Sequence, residues 1–269
     1  MTKMRVPKLT SVGLDSAVVD FRFARAFDMY RHVKAGPGEY EPDVLAMLLV
    51  LLARNERARF INVGANIGYF ALIVAKLFGA RVDVHAYEPM PVLFDGLVDA
   101  CRSNRVDVHL RSLALSDFEG TAPFHLSAKS DTSNSLNPEF RPNKGIVDVP
   151  VSTIDAEFAD PSTDLPTVLL VDTESTEPAV LRGSRAFIER VRPAVVCEVL
   201  AGRTETELTN ILNDCGYEMY ELTDDGPQRR DELVGDRTYR HRDWLFVPEG
   251  ADVDPTKAFG STFRTLTSS

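Results

Sequence analysis

The sequence contains few cysteines and no apolar run long enough for a membrane helix, and each shortage excludes a class of protein. Its three cysteines, Cys101, Cys197 and Cys215, are widely spaced, which argues against a zinc site and against a disulfide framework. We therefore expect a reducing, cytoplasmic location. The longest apolar run, residues 44–53, has about half the length that spans a bilayer, so we predict a buried helix there and no integral membrane segment.

Positive charge is also scarce relative to negative charge. The chain has 30 lysines and arginines against 40 aspartates and glutamates, which gives a formal net charge of −10. An acidic protein repels the phosphate backbone of nucleic acids, and the densest basic stretch, 237–242, is short and interrupted by His241. We therefore predict no nucleic-acid partner. The hydrophobic fraction of 44% is nevertheless sufficient for a folded core.

Strand and helix patterns alternate along the chain from residue 59 onward. Alternation of this kind is typical of a mostly parallel sheet with helices on both faces, so the predicted fold class is α/β. Seven strands are predicted, the last two as an antiparallel edge: 59–63, 82–87, 106–110, 166–171, 194–199, 217–222 and 244–247.

The segment 120–155 interrupts this alternation. Strand patterns at 121–126 and 146–152 flank a polar loop of about twenty residues, and loops of that length in compact domains are usually functional. We therefore predict an inserted strand pair around 120–155. The whole chain divides into an irregular N-terminal lead-in or cap (1–38), a central domain (39–249) and a weakly patterned C-terminal tail (250–269).

The sequence INVGANIGYF, residues 61–70, joins an apolar strand to a helix through a glycine turn. Gly64 can take the tight turn and lets a ligand touch the backbone, whereas Gly68 permits close packing of the helix. The helix N-terminus that follows offers N–H groups and the positive end of a dipole, which suit a phosphate or a carboxylate. A plain tight turn is the alternative interpretation of this pattern taken alone.

An acidic residue, Glu88, ends the next strand, twenty-four residues after Gly64, and is followed by Pro89. A carboxylate at this position can accept hydrogen bonds from both hydroxyls of a ribose. The glycine turn and the acid together predict an adenosine-containing cofactor at the carboxyl edge of the sheet. The spacing of Gly64 and Gly68, with Asn66 where a dinucleotide fingerprint has glycine, disfavours NAD and FAD.

Four motifs taken together resemble those of the FkbM-type methyltransferases: VGANIGYF (63–70), YEPMP (87–91), ALSD (114–117) and DTESTEPAVLRGS (172–184). The resemblance implies that the central domain is a Rossmann-like methyltransferase domain with S-adenosylmethionine (SAM) as cofactor. It also implies O-methylation of a hydroxyl on a small molecule, such as a sugar, a glycolipid or a product of secondary metabolism.

The resemblance also assigns the residues that bind the cofactor. Gly64, Ala65, Asn66 and Gly68 surround the methionine part, Glu88 holds the ribose, Ser116 and Asp117 adjoin the adenine, and Asn62, Tyr69 and Pro89 complete the set. Two positions depart from the family pattern. Asn62 replaces an aspartate near the ammonium group of the cofactor, and Ser175 replaces a glycine beside the acceptor pocket.

Three acidic residues are the candidate catalytic groups. Methyl transfer to oxygen is an in-line displacement, and a carboxylate helps it by taking the proton of the hydroxyl. Asp172 ends one predicted strand, Glu174 follows it, and Glu198 ends the next strand. Asp172 and Glu174, with a third ligand, also allow a Mg²⁺ ion, although we assign no metal ligand. The alternatives are acids at a helix N-terminus for the first two and a structural ion pair for Glu198.

Other interpretations of the whole protein stay open. Within the same class, the acceptor atom is a nitrogen or the carboxylate of a sugar acid. From other classes come a module that binds SAM without turnover and a dinucleotide oxidoreductase. The expected partner is a small-molecule acceptor, and a homo-oligomer is compatible with the sequence. His85 and His109, which lie in strand patterns, are predicted to be satisfied near-core groups.

Overall fold

The computed structural model describes residues 3–22, 29–252 and 254–268. Within those ranges the strands are β1 (Lys3–Val6), β2 (Ala17–Asp20), β3 (Ala58–Val63), β4 (Val82–Tyr87), β5 (His109–Arg111), β6 (Ala114–Leu115), β7 (Gly120–Ser127), β8 (Asn143–Ser152), β9 (Thr167–Val171), β10 (Ala194–Glu198), β11 (Tyr217–Thr223), β12 (Gly226–Arg230) and β13 (Asp243–Pro248). The α-helices are α1 (Tyr30–Ala35), α2 (Pro42–Ala53), α3 (Tyr69–Phe78), α4 (Pro91–Asn104), α5 (Ile154–Glu157), α6 (Glu177–Arg182), α7 (Arg185–Val191), α8 (Glu205–Cys215) and α9 (Phe259–Thr267).

The main sheet has eight strands in the order β12-β11-β13-β10-β9-β3-β4-β5. The five strands from β10 to β5 are parallel, and β13, β11 and β12 continue the sheet with antiparallel pairings. Strands β3 and β9 are buried along their whole length, as expected for a parallel sheet covered on both faces. The predicted Rossmann-like α/β class and its antiparallel edge are confirmed.

The eighth strand, β12, was absent from the sequence prediction. Its sequence, GPQRR, contains a proline and two arginines in place of an apolar alternation, so it carries no strand pattern. It forms because β11 offers a free edge, and Met219 to Thr223 pair with Arg230 to Gly226. The sheet therefore extends one strand beyond the seven that were expected.

The inserted strand pair is present as the antiparallel hairpin β7–β8, which begins at Gly120 and ends at Ser152. The short strand β6 pairs with β8, so the insertion forms a separate three-stranded sheet. The small apolar core of this sheet includes Phe124 and Val149. Its long loop, 128–142, returns toward the carboxyl ends of the main parallel strands.

Both chain ends contain regular structure that the sequence analysis did not predict. In the lead-in, β1 and β2 form an antiparallel pair whose Met4 and Val19 are buried. In the tail, α9 contacts α2 and buries Phe259 and Leu266. The sequence of α9 is rich in glycine, serine and threonine, which are weak helix formers, so packing against α2 supplies its stability.

The apolar run at 44–53 lies in α2, as predicted, and nearly every residue of that helix is buried. A helix that is apolar on all sides requires packing partners all round, and α2 contacts β9, β10 and α9. Pro42 occupies the first turn, where its missing N–H costs no hydrogen bond. None of the helices in the described ranges combines the length and the apolar composition needed to cross a membrane.

We expect Leu266→Ala to lower the free energy of unfolding by about 2–5 kcal/mol, because it opens a cavity between α9 and α2. The matched control is Arg264→Ala, an exposed position in the same helix, for which we expect a change within about 0.5 kcal/mol. Urea unfolding followed by circular dichroism measures both. Equal, small effects of the two substitutions would show that α9 is not packed on α2.

Candidate active site

The loop between β3 and α3 is shaped by a glycine that no other residue can replace without strain. Gly64 has a φ of +81°, and a Cβ added there would lie 1.9 Å from the carbonyl oxygen of Asp172. The N–H groups of Gly64 and Ala65 both donate to the carbonyl of Tyr87, at 3.0 and 2.9 Å. These contacts bring together the carboxyl ends of β3, β4 and β9.

Glu88 is fixed at the end of β4 by two backbone hydrogen bonds. The N–H of Asn66 donates to Oε2 of Glu88 and the N–H of Met90 donates to Oε1, each at 2.8 Å. The side chain is buried, with 4% of its residue surface exposed. An ionised carboxylate only accepts hydrogen bonds, and this one lines the pocket described below.

The glycine loop contributes shape rather than free donors. The N–H of Ile67 donates to Oδ1 of Asn66, and the N–H of Gly68 donates to the carbonyl of Ala65, each at 2.8 Å. Every N–H from residue 64 to residue 68 therefore has an acceptor inside the protein. We therefore expect the backbone N–H groups that donate to a ligand to lie in the first turn of α3, which begins at Tyr69.

One pocket, with an empty volume of about 860 Å³ including solvent at its mouth, lies where these strand ends meet. Nine residues predicted as cofactor-binding or catalytic line it: Asn62, Gly64, Ala65, Asn66, Tyr69, Glu88, Pro89, Asp172 and Glu174. The wall is completed by side chains from several other segments, among them Met29, Tyr40, Leu115, Phe124 and Leu136.

Four other predicted residues lie outside the pocket lining. A Cβ added to Gly68 would lie 2.3 Å from Cδ1 of Leu97, so this glycine permits packing of α3 against α4. Ser116 is buried, and Asp117 forms an ion pair with Arg182 at 2.9 Å. The fourth, Glu198, belongs to the ionic group described below. The contacts of Ser116 and Asp117 with an adenine stay a prediction.

The two acids that line the pocket bind protons more tightly than exposed acids. Burial raises the pKa of Asp172 to about 7, with Glu41 adding to the shift and Arg242 opposing it. Burial and the charge of Asp172 raise the pKa of Glu174 to about 9. At neutral pH, Glu174 therefore keeps its proton while Asp172 titrates near the working pH, as a general base requires.

Glu198 takes part in an ionic contact that crosses the fold. Arg242 contacts Glu41, and its Nε lies 3.2 Å from Oε1 of Glu198. Glu198 is 1% exposed, and its Oε2 has no hydrogen-bond partner within the described residues. The ion pair that was the alternative interpretation of Glu198 is thus present in the structure.

Sequence analysis missed Glu41 and Arg242, because nothing local marks them. They are 201 positions apart and meet only when α2 and β13 pack in one domain. The available signals were weak. Glu41 directly precedes an entirely apolar helix, and Arg242 directly precedes the last strand of the sheet.

The sequence matches the model of a known protein family. A sequence model described as Methyltransferase FkbM domain matches residues 62–219, which is more than half of the chain. The chain belongs to the FkbM methyltransferase family. The matched range includes the Gly64 loop, the insertion and the acids of the pocket, so the predicted resemblance is confirmed. No curated protein sequence matches the chain.

Solved structures similar to this chain share little sequence identity with it. The FkbM methyltransferase from Methylobacillus flagellatus KT has 16% identity and a TM-score of 0.47, over 85% of this chain and 62% of that chain. Fibrillarin from Aeropyrum pernix with natively bound SAM has 15% identity and a TM-score of 0.43, over 76% and 73%. A SAM-dependent methyltransferase from Aquifex aeolicus has 10% identity and a TM-score of 0.41, over 85% and 97%. This chain therefore spans less than two thirds of the Methylobacillus protein, and its family membership rests on the sequence match.

The position where this chain carries Ser175 instead of the usual glycine has a left-handed backbone. Ser175 has a φ of +82° and Glu174 a φ of +56°, both in the region that favours glycine. Glu177 holds this turn, since its Oε1 accepts from the N–H groups of Thr173 and Ser175 at 2.9 and 3.1 Å. Glu177 thus organises the loop that precedes α6.

The serine at this position also connects the turn to the insertion. Its hydroxyl accepts from Nδ2 of Asn137 at 2.9 Å, and Oγ of Ser135 donates to the carbonyl of Glu174 at 2.7 Å. Because glycine has no hydroxyl, the bond between Ser175 and Asn137 depends on the departure from the family pattern. The insertion loop is thereby attached beside Asp172 and Glu174.

We expect Gly64→Ala to destabilise the protein far more than Gly250→Ala. Both glycines have positive φ values, +81° and +75°, so both alanines carry the cost of a left-handed backbone, about 1–2 kcal/mol. Only the Cβ at Gly64 meets backbone, whereas the space around Gly250 is open. We expect a loss of more than about 4 kcal/mol for Gly64→Ala. Urea unfolding measures both, and similar losses would refute the close approach to Asp172.

We expect the free energy of unfolding to fall as the pH rises from 5 to 9. The folded-state pKa values of Asp172 and Glu174 exceed their ordinary values of 3.8 and 4.5, so the folded protein binds more protons than the unfolded chain in this interval. Each group contributes a slope of at most about 1.4 kcal/mol per pH unit, for Asp172 up to about pH 7 and for Glu174 up to about pH 9. Glu174→Gln should flatten the slope, and the exposed control Glu119→Gln should not. Urea midpoints at pH 5, 7 and 9 give the comparison, and an unchanged slope in Glu174→Gln would contradict the raised pKa.

Proposed function

We propose that the protein is a SAM-dependent O-methyltransferase that acts on a hydroxyl of a small molecule. One observation carries the proposal. The Gly64 loop, the buried carboxylate of Glu88 and the acids Asp172 and Glu174 line a single pocket. Residues suited to a nucleoside cofactor and residues suited to proton transfer therefore meet in one place, as methyl transfer requires.

The residues present fit SAM. Gly64, Ala65 and Asn66, which line the pocket, would hold its methionine part. Glu88, whose buried carboxylate lines the pocket, would accept from the ribose hydroxyls. Leu113 and Leu115 line the pocket beyond Glu88 and would pack against the adenine, with Ser116 and Asp117 next to them in sequence.

The acids would manage the proton of the acceptor. When bound, SAM supplies a methyl group on a positively charged sulfur. Asp172, with a pKa of about 7, would accept the hydroxyl proton as the acceptor oxygen forms its bond to that methyl group. Glu174, still protonated, would donate a hydrogen bond that orients the acceptor. Tyr40, Phe124 and Leu136 would exclude water from the reacting atoms.

The charge of the acids in and near the pocket favours some acceptors over others. A carboxylate acceptor would be repelled by Asp172 and by the nearby Glu41, so methyl ester formation is disfavoured. A nitrogen acceptor is the second candidate, because a protonated amine is attracted to the same acids.

The proposed mechanism assigns no role to Mg²⁺. Within the described residues, no third His, Cys, Asp or Glu joins Asp172 and Glu174 in a group whose ligand atoms all lie within 4.8 Å of one another.

The proposal also includes the class of acceptor, the cellular location and the oligomeric state. The partner is a small-molecule acceptor from carbohydrate or secondary metabolism, as the family resemblance implies. The cytoplasm stays the proposed location because the cysteines are few and widely spaced. A homo-oligomer stays compatible with the sequence.

The two acids of the pocket should respond differently to amide substitution. Asp172→Asn removes the proposed base, so we expect the turnover number to fall by about 10²–10⁴, with SAM affinity retained. Glu174→Gln replaces a protonated acid by a neutral amide and should keep most of the turnover. Formation of S-adenosylhomocysteine against a panel of sugars, amines and sugar acids measures turnover, and mild alkali distinguishes an ester product from an ether.

Three outcomes of this experiment would change the conclusion. Full turnover by a folded Asp172→Asn variant would remove the proposed base. Methylation of amines alone would replace the hydroxyl acceptor by nitrogen. Calorimetric binding of SAM with no S-adenosylhomocysteine formed against the whole panel would favour a binding module over an enzyme.

A further inference from the structure

Three side chains with the chemistry of metal ligands meet on the main sheet, outside the pocket lining. Asp83 and His85 are two residues apart on β4 and so lie on one face of the strand. His109 on the neighbouring β5 is the register partner of His85. Oδ2 of Asp83 lies 3.0 Å from Nε2 of His85, and Oδ1 lies 3.1 Å from Nε2 of His109. Within the described residues, these three form the one group whose ligand atoms all lie within 4.8 Å of one another.

On the side that faces the protein interior, packing restrains the two imidazole rings. The rings of His85 and His109 are stacked, with centroids 4.5 Å apart and planes at 19°. The ring of Phe158 contacts His85 edge-on at 5.0 Å. The stacking and the contacts with Asp83 restrain both rings. The prediction of satisfied near-core groups fits His85 but is wrong for His109, because its side chain is 61% exposed at the edge of the sheet.

A buried arginine orients the carboxylate. Nε of Arg59 lies 3.4 Å from Oδ2 of Asp83, and Nη2 of Arg59 donates to the carbonyl of Thr163 at 2.7 Å. Hydrogen bonds of this kind behind a ligating carboxylate fix its direction in known metal sites. The charge of Arg59 offsets that of Asp83, so an ion bound here depends mainly on the two imidazoles.

The other side of the group is open to solvent. The side chain of His109 is 61% exposed and that of Asp83 is 28% exposed, whereas that of His85 is 16% exposed. An ion approaching from solvent therefore has access, and water can fill the positions that the protein leaves free.

We propose that Asp83, His85 and His109 bind a divalent first-row transition metal ion, with water completing its coordination. Two imidazole nitrogens and one carboxylate oxygen suit Zn²⁺, Ni²⁺ or Cu²⁺, whereas Mg²⁺ and Ca²⁺ prefer oxygen ligands alone. Ligand atoms about 2.0–2.2 Å from a tetrahedral ion lie about 3.3–3.5 Å apart. The two separations in the structure, 3.0 and 3.1 Å, differ from that by a few tenths of an ångström.

The bound ion would join the edge strand of the sheet to the strand that carries Glu88. β5 has only three residues and pairs with β4 alone, while the carbonyl of Arg111 accepts from the N–H of Glu88 at 3.1 Å. Cross-linking His85 and His109 upstream of that bond stabilises the pairing of the two strands. The proposal stands independently of methyl transfer.

The test uses the untagged full chain, freed of metal with EDTA and dialysed. Calorimetric titration with ZnCl₂ should show one saturable site, and Zn²⁺ should raise the Tm, whereas MgCl₂ should do neither. His109→Gln should weaken Zn²⁺ binding at least tenfold and abolish the Tm shift. The exposed control His32→Gln should bind Zn²⁺ as the unaltered protein does.

A second substitution keeps the test decisive if His109→Gln is poorly folded. His109→Asp returns a ligand atom to the site and should restore binding in part, and the visible spectrum of bound Co²⁺ reports whether histidine nitrogen is coordinated. The proposal fails if the unaltered protein binds no Zn²⁺ saturably. It also fails if folded His109→Gln and His109→Asp both bind Zn²⁺ with unaltered affinity.

Discussion

At Gly64 the carboxyl ends of β3 and β9 approach more closely than any side chain allows, because a Cβ there would overlap the carbonyl oxygen of Asp172. Most features of the pocket follow from this contact. It sets Asp172 beside the loop, and the N–H groups of Gly64 and Ala65 then bond to Tyr87 at the end of β4. The next residue, Glu88, is brought to the same edge. One missing side chain thus determines how three strands present their polar ends.

The second constraint is the burial of several acids around one arginine. Arg242 contacts Glu41 and Glu198, while burial and mutual repulsion raise the pKa values of Asp172 and Glu174. Such an arrangement costs stability as the pH rises, since charge must be placed in a region of low polarity. Functional sites commonly retain acids with perturbed pKa values at the expense of stability.

The insertion is a structural unit of its own, and polar contacts attach it to the pocket. Its small sheet has a separate apolar core, yet Ser135 and Asn137 in its loop bond to Glu174 and Ser175. These bonds involve short polar side chains and a left-handed turn, so they depend on the local backbone more than on burial. The shape of the wall opposite the glycine loop is therefore set by a segment outside the main sheet.

Local patterns in the sequence determined the parallel strands, the buried helix α2, the glycine turn and the acid Glu88, because periodicity and short motifs act through neighbouring residues. The strand β12 and the helix α9 lacked such patterns, since a free sheet edge and the surface of α2 stabilise them. Only the tertiary structure decided that Asp117 pairs with Arg182 and that Arg242 reaches Glu41 from 201 positions away. Contacts of that range depend on how whole elements pack, and no short stretch of sequence encodes them.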